Sequence, residues 1–222
     1  MVRTAFSLTY VTYDDEDPLG FVLAGITLAP IFIMVMYATL VVFRRDMHTL
    51  AMLAGQLVNE AASVILKEIV SAPTSRWRHH AVRPPGGDKT GPGMPSSHTQ
   101  FMFFFATYSA LFIFRRATLE QPAVKPVLCL ALETLAFLVA YSRCHLLYHT
   151  VEQVVVGGVL GVGFGVVWFA VVQTLLAPQF ARLQDWGPLR FFHFKDLSHV
   201  NFLYRFEKKI AKQFAAAQKR SH

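Results

Sequence analysis

The sequence predicts an all-α, polytopic integral membrane bundle of about five transmembrane helices, and three observations carry that prediction. Only 16% of its 222 residues are charged, against about 25% in a soluble domain. The hydrophobic share is 54% and the mean hydropathy is +0.39. The apolar residues also fall in blocks rather than at an amphipathic period. A hydrocarbon core of roughly 30 Å is crossed by about 20 apolar residues in a helix.

Each span has its own justification. Phe21 to Phe43 is uncharged throughout. Thr49 to Val70 is interrupted by Asn59, Glu60 and Lys67. Thr99 to Phe114 is short and rich in Phe. Pro126 to Tyr141 contains Glu133, and Val154 to Leu176 is long, Gly-rich and uncharged. The first twenty residues hold Asp14, Asp15, Glu16 and Asp17 and no apolar run, which predicts no cleaved leader. Cys129 and Cys144 give no disulfide framework. The expected organisation is an N-terminal segment over 1–20, a membrane domain over 21–176 and a basic tail over 177–222.

With five spans, one membrane face receives Arg44, Arg45, Arg115, Arg116, Lys125 and nine tail residues, fourteen Lys and Arg in all. The other receives Arg3, Lys67, Arg76, Arg78, Arg83, Lys89 and Arg143, seven in all. The positive-inside bias therefore puts the tail and the C-terminus in the cytoplasm and the other face in the lumen or exterior. The net charge of +7 is then largely a tail beside anionic headgroups, not a nucleic-acid footprint.

Two polar segments interrupt the apolar pattern on the lumenal side. One is Gly93-Met94-Pro95-Ser96-Ser97-His98. The other runs from Ser142-Arg143 through His149 to Gln153. Imidazoles and cations at one membrane face are suited to gripping a phosphate, attacking it and protonating its leaving group.

Ser142-Arg143, five residues, His149, three residues, Gln153 resembles the third signature of the type 2 phosphatidic acid phosphatase superfamily. Pro95-Ser96-Ser97-His98 resembles its second, Pro-Ser-Gly-His. Lys67 followed by Arg83-Pro84 resembles its first, Lys, six residues, Arg-Pro. More narrowly, Asn59-Glu60, Lys67-Glu68, Gly93 to Gln100 and Leu146 to Thr150 resemble the dolichyldiphosphatase branch, which removes a phosphate from dolichyl diphosphate. The likeness covers roughly residues 20 to 180.

The resemblance implies a phosphatidic acid phosphatase type 2-like fold and a metal-independent acid anhydride hydrolase with no cofactor. His149 would attack phosphorus and form a phosphohistidine. His98 would protonate the leaving oxygen and then activate water. Lys67, Arg83 and Arg143 would neutralise the phosphate oxygens, with Ser96, Ser97 and the first amides of the third span as further donors. The implied partners are a polyprenyl (dolichyl) diphosphate and the lipid bilayer, with no nucleic acid. The implied place is the endoplasmic reticulum membrane, active site lumenal, in the lipid-carrier cycle of protein N-glycosylation. Other lipid phosphates, or lipid-phosphate binding without catalysis, are the competing readings.

Two departures from the family pattern matter. The third signature usually ends in Asp, and here it ends in Gln153, which the dolichyldiphosphatase branch tolerates, so the resemblance to that branch is favoured. At i and i+4 on a helix, Gln153 shares a face with His149, and its carbonyl is able to accept the Nδ1–H; Glu152, one residue earlier, competes for that role. The second departure is in the first signature, where fifteen residues separate Lys67 from Arg83. Pro73 to Ala81 reads as an inserted loop near the headgroups, and deleting it, which restores a spacing of six, is expected to preserve activity. Arg76, which no Pro follows, is the alternative to Arg83.

Four further readings concern bystanders. His145 lies one turn before His149, but no H-E-x-x-H pattern or carboxylate set accompanies it. It reads as a bystander or an outer hydrogen-bond donor. Gln56, Asn59, Glu60, Ser63 and Lys67 make a polar stripe along the second span, so Glu60 is expected to face the bundle. Trp77, His79 and His80 read as surface. The aromatic and basic stretch from Phe191 to Phe206 reads as lying on the cytoplasmic membrane surface.

Overall fold

The computed structural model describes residues 3–6, 11–85, 91–117, 121–197 and 209–213, and for 3–6 the backbone alone. Two short strands, β1 (Arg3–Phe6) and β2 (Val11–Asp14), pair antiparallel with Arg3 opposite Asp14. Six longer helices follow: α1 (Pro18–Ile26), α2 (Ala29–Phe43), α3 (Met47–Ser71), α4 (Ser97–Arg115), α5 (Val124–His145) and α6 (Val151–Val171). Short helices α7 (Phe180–Leu183) and α8 (Gly187–Phe191) close the described part of the chain apart from 192–197 and a helical turn in 209–213.

The first predicted span is a broken one. Pro30 has no amide to donate and its ring crowds the carbonyl four residues back, so the ladder stops at Ile26 and restarts at Ala29. α3 is capped by Asp46, whose carboxylate accepts the Thr49 amide at 3.0 Å. It ends before Ala72-Pro73, where the residue preceding Pro is driven out of the helical region; Ala72 sits at φ −54°, ψ 144°. After α6 the ladder loosens into a π-turn over Val172–Leu176 and a 3-10 turn over Ala177–Gln179, around Pro178.

Among the described residues four helical stretches are long and apolar enough to cross a membrane: Pro18–Phe43, Met47–Ser71, Val124–His145 and Val151–Leu183. α4 falls outside that set because it is shorter and opens with the polar turn Ser97-His98-Thr99-Gln100; it is the hub of the bundle rather than a lipid-facing wall. Thr99 to Ala106 is buried without interruption, so neighbours cover every face of that stretch. α6 lies closest. Gly157 and Gly161 face α4, and a Cβ on either would stand 2.6 Å from the Ser96 carbonyl oxygen or 2.4 Å from that of Gln100. Small residues every fourth position allow that approach. The apolar side chains of α2, α3, α5 and α6 that remain exposed, such as Phe32, Val64, Leu130 and Val159, form the surface a bilayer would solvate. Residues 177–195 stay on the bundle. Val172 and Phe180 are buried with Met47, Phe104 and Tyr108, and Lys195 bonds the α2–α3 turn through Arg45 and Met47. Phe191 and Phe192 are exposed; residues 198–206 of the expected surface stretch lie outside the described residues, as does Lys89.

Candidate active site

The site forms where the α5–α6 turn, the first turn of α4 and the segment after α3 converge. α5 is stopped by Leu147, whose φ of +57° is left-handed. That reversal folds the amides of Tyr148 and His149 back onto the Arg143 carbonyl, each at 3.0 Å. His149 is thereby held at the mouth of α6, buried to 4% exposure. Thr150 caps α6 in a capping box with Gln153.

Gln153 is fully buried and saturated. Its Nε2 donates to the carbonyls of His80 and Val82, both at 2.8 Å. Two carbonyl partners fix which end of the amide is nitrogen. Oε1 therefore faces His149 and accepts from Nδ1 at 3.0 Å. The imidazole is the Nδ1–H tautomer, and the Nε2 lone pair points into the site, 3.4 Å from Arg83 Nη1. Gln153, not Glu152, orients the histidine; Glu152 turns outward to His80. Gly93 is part of the same geometry, since a Cβ there would meet Gln153 Oε1 at 2.5 Å.

Arg83, and not the exposed Arg76, is the cation brought to His149. It is anchored by the carbonyls of Tyr148 (2.7 Å), Pro92 (3.0 Å) and Gly91 (3.2 Å). Lys67 reaches the same region from the end of α3 and donates to the Ser97 hydroxyl, which also bonds Ser63 at 3.0 Å. His98, at the start of α4, is partly exposed. The amides of that first turn have no intrahelical carbonyl to bond.

Two expected phosphate ligands sit differently from that open group. Ser96 is fully buried; its hydroxyl bonds Thr99 Oγ1 at 3.0 Å and its amide donates to the Gln153 carbonyl at 3.0 Å. Its visible part is to seat α4 against α6, and Ser97 is the serine beside Lys67. Arg143 lies beneath the turn, 2% exposed. It donates to Thr27 Oγ1 at 2.8 Å and stands 4.0 Å over the Tyr148 ring. Tyr148 in turn bonds Thr12 through its hydroxyl, which ties β2 to the site.

His145 is paired with Asp17 at 2.6 Å, and that bond holds the carboxyl below its usual range. Of the polar stripe on α3, Gln56, Asn59 and Ser63 are fully buried, and Asn59 accepts from Gln100 at 3.0 Å. Glu60 is half-buried on that face. His80 departs from its surface reading: its carbonyl holds Gln153, and its Nδ1 stands 2.7 Å from Glu152 Oε2. Backbone acceptors leave no trace in a side-chain pattern, so the part played by the His80 and Val82 carbonyls had no signal in the sequence.

Burial, reinforced by the Arg143 and Arg83 charges, holds His149 far below an ordinary imidazole, at about 3. At neutral pH His149 is therefore an uncharged imidazole. The sign for stability follows. Unfolded His149 takes up a proton near pH 6.5 and folded His149 does not, so its contribution is complete above that pH and is lost as pH falls toward 3. Thermal melts in detergent are expected to show the protein less stable at pH 5 than at pH 7, with a smaller drop for His149→Ala.

A model of the PAP2 superfamily matches residues 48–177. Dolichyldiphosphatase 1 of Mus musculus is 38% identical over an alignment covering 96% of this chain and 90% of the relative. Dolichyldiphosphatase 1 of Dictyostelium discoideum is 36% identical, covering 92% and 87%. Lipid phosphate phosphatase gamma of Arabidopsis thaliana is 33% identical, covering 91% and 88%. In fold the chain is similar to a crystal structure described as the first transmembrane PAP2 type phosphatidylglycerolphosphate phosphatase, from Bacillus subtilis. There the TM-score is 0.58 at 22% identity, over 72% of this chain and 80% of that one. With the Lys67–Arg83, Ser96–His98 and Arg143–Gln153 segments meeting at one end of this bundle and the matches extending over most of the chain, the chain belongs to the PAP2 superfamily, among its dolichyldiphosphatase-like members.

Proposed function

We propose that this multi-pass membrane protein hydrolyses dolichyl diphosphate to dolichyl phosphate and inorganic phosphate in the endoplasmic reticulum, with its active site on the lumenal face and its C-terminus in the cytoplasm. The observation that carries the chemistry is the neutral His149, its Nδ1–H fixed by Gln153 and its Nε2 turned toward Arg83. The substrate is the one named for the dolichyldiphosphatase relatives, which align over nearly the whole chain.

In the first step the His149 Nε2 lone pair forms a bond to the terminal phosphorus. The bond from phosphorus to the bridging oxygen breaks, and that oxygen leaves with dolichyl phosphate, taking a proton from His98. In the second step His98 removes a proton from water. The hydroxide attacks phosphorus, the P–N bond breaks, and phosphate departs. Arg83 and Lys67 offset the charge on the equatorial oxygens, assisted by Ser97 and the first amides of α4. Arg143 contributes its charge from beneath the turn, and Ser96 contributes by seating α4 on Gln153.

The test is phosphate release by the purified protein over a panel of dolichyl diphosphate, dolichyl phosphate, phosphatidic acid and sphingoid phosphates. The highest kcat/KM is expected for the diphosphate. A preference for phosphatidic acid would favour the lipid phosphate reading raised by the Arabidopsis relative, and no release from any lipid would defeat the enzymatic reading. Because side chains supply the cationic charge, activity is expected to persist in excess EDTA without added divalent ion. A strict requirement restored only by Mg²⁺ or Zn²⁺ would overturn the mechanism.

A further inference from the structure

The turn Arg78–Ala81 departs from the family's spacing, and Gln153 departs from the family's usual Asp. In the structure these two departures meet. The amide of Gln153 spends both Nε2 hydrogens on the carbonyls of His80 and Val82 at 2.8 Å. A carboxylate there would set an unprotonated oxygen against two carbonyl oxygens, which repel it. A Gln fits because it accepts from His149 with one end and donates to the turn with the other. The turn must then stay in place for His149 to stay aimed.

Two bonds fasten the turn at its His80–Ala81 end. The Gly93 amide donates to the Ala81 carbonyl at 2.7 Å. The His80 imidazole bonds Glu152 Oε2 at 2.7 Å, and its ring lies against His79 (centroids 3.8 Å apart) and Trp77 (5.5 Å). Glu152 stands next to Gln153 on the first turn of α6. One residue of α6 therefore grips the turn by its side chain, and the adjacent residue is gripped by the turn's backbone. An Nδ1–H donates to a carboxylate whether the ring is neutral or charged, so the bond does not need protonated His80.

We propose that His80 and Glu152 are positioning residues for the hydrolysis: they clasp the 78–83 turn to α6, so that its carbonyls fix the Gln153 amide and Gln153 aims His149 Nε2 at phosphorus. This rests on His149 being the nucleophile. Arg83 follows the turn in sequence but has its own anchors on Tyr148, Pro92 and Gly91. Loosening the clasp is therefore expected to disturb the nucleophile and spare phosphate binding.

The experiment compares His80→Ala, Glu152→Ala and Glu152→Gln with wild type, purified in detergent, by dolichyl diphosphate kinetics and by hydrogen exchange of the peptide spanning 78–83. Both alanine variants are expected to lose roughly tenfold in kcat, the scale of a small misalignment of reacting groups, with KM unchanged and faster exchange in 78–83. Glu152→Gln keeps an acceptor oxygen for His80 and is expected to recover most of kcat and of the protection. Unchanged exchange in both alanine variants overturns the clasp whatever the enzyme does. Faster exchange with kcat at the wild-type level overturns the link to Gln153. A rise in KM at constant kcat overturns it too, by assigning the turn to substrate binding. If wild type itself shows no turnover, the proposed function fails, while the exchange data still judge the clasp.

Discussion

His149→Ala is expected to abolish turnover, by on the order of 10⁴-fold or more, the scale on which a covalent nucleophile matters. The variant should still fold. His149 is buried, but the turn that presents it is held by backbone bonds to the Arg143 carbonyl, and Gln153 retains Thr150, His80 and Val82 as partners. What disappears is the lone pair proposed to attack phosphorus. Activity within tenfold of wild type in folded His149→Ala would remove His149 from the nucleophile's role. His98→Ala is expected to be severe in a different way. It loses the proton donor for the leaving oxygen, so a substrate with a good leaving group should still give a slow burst of phosphoenzyme. A burst in His98→Ala and none in His149→Ala separates the two histidines by role as well as by rate.

Much of this arrangement was legible in the sequence, for identifiable reasons. Uncharged runs of membrane length made the spans over α2 and α6 plain, and the i, i+4 spacing of His149 and Gln153 needed only that α6 begin where the polar segment ends. The break at Pro30 follows from proline chemistry, yet hydropathy averages over it. α4 was readable as a span but not as the hub, because burial on every face by neighbouring helices leaves no periodicity. The orientation of Ser96 and Ser97 depends on the helical phase at the first turn of α4, and phase at a helix end is where sequence is least informative. The signature marks Arg143 as a phosphate ligand; Thr27, which accepts its hydrogen bond, is far away in sequence and carries no motif, and the ring contact with nearby Tyr148 depends on the turn after α5. The role of the 73–81 segment was hidden for a simpler reason. Its direct contacts with Gln153 and Gly93 are made by carbonyls, which every residue has.

Deleting Pro73 to Ala81 is the second large effect, and the structure reverses what spacing alone favours. The deletion leaves Glu68 to Ala72 and Val82, six residues between Lys67 and Arg83, the family's usual number. Loop entropy does not object, since shortening from fifteen residues to six changes closure by only about 0.8 kcal/mol. The bundle is expected to survive, because its core lies on α2, α4, α5 and α6 and the deleted segment contributes Ala81 alone among the buried apolar residues. The site is a different matter. The deletion removes the His80 carbonyl that holds Gln153 Nε2 and the Ala81 carbonyl that holds the Gly93 amide. It also ties Arg83 to the end of α3 on a short tether, pulling against its bonds to Tyr148, Pro92 and Gly91. A displacement of about 1 Å in such a group costs on the order of 100-fold in rate. The deletion variant is therefore expected to fold and to lose on the order of 100-fold or more in kcat/KM. Arg83→Ala should be similarly impaired, and Arg76→Ala, which removes an exposed side chain, should match wild type. The measurement is dolichyl diphosphate hydrolysis by the three variants, with thermal melts to confirm folding. Deletion protein as active as wild type would show that the turn is dispensable, and loss on Arg76→Ala with retention on Arg83→Ala would show that the arginine beside His149 is not the one that binds phosphate.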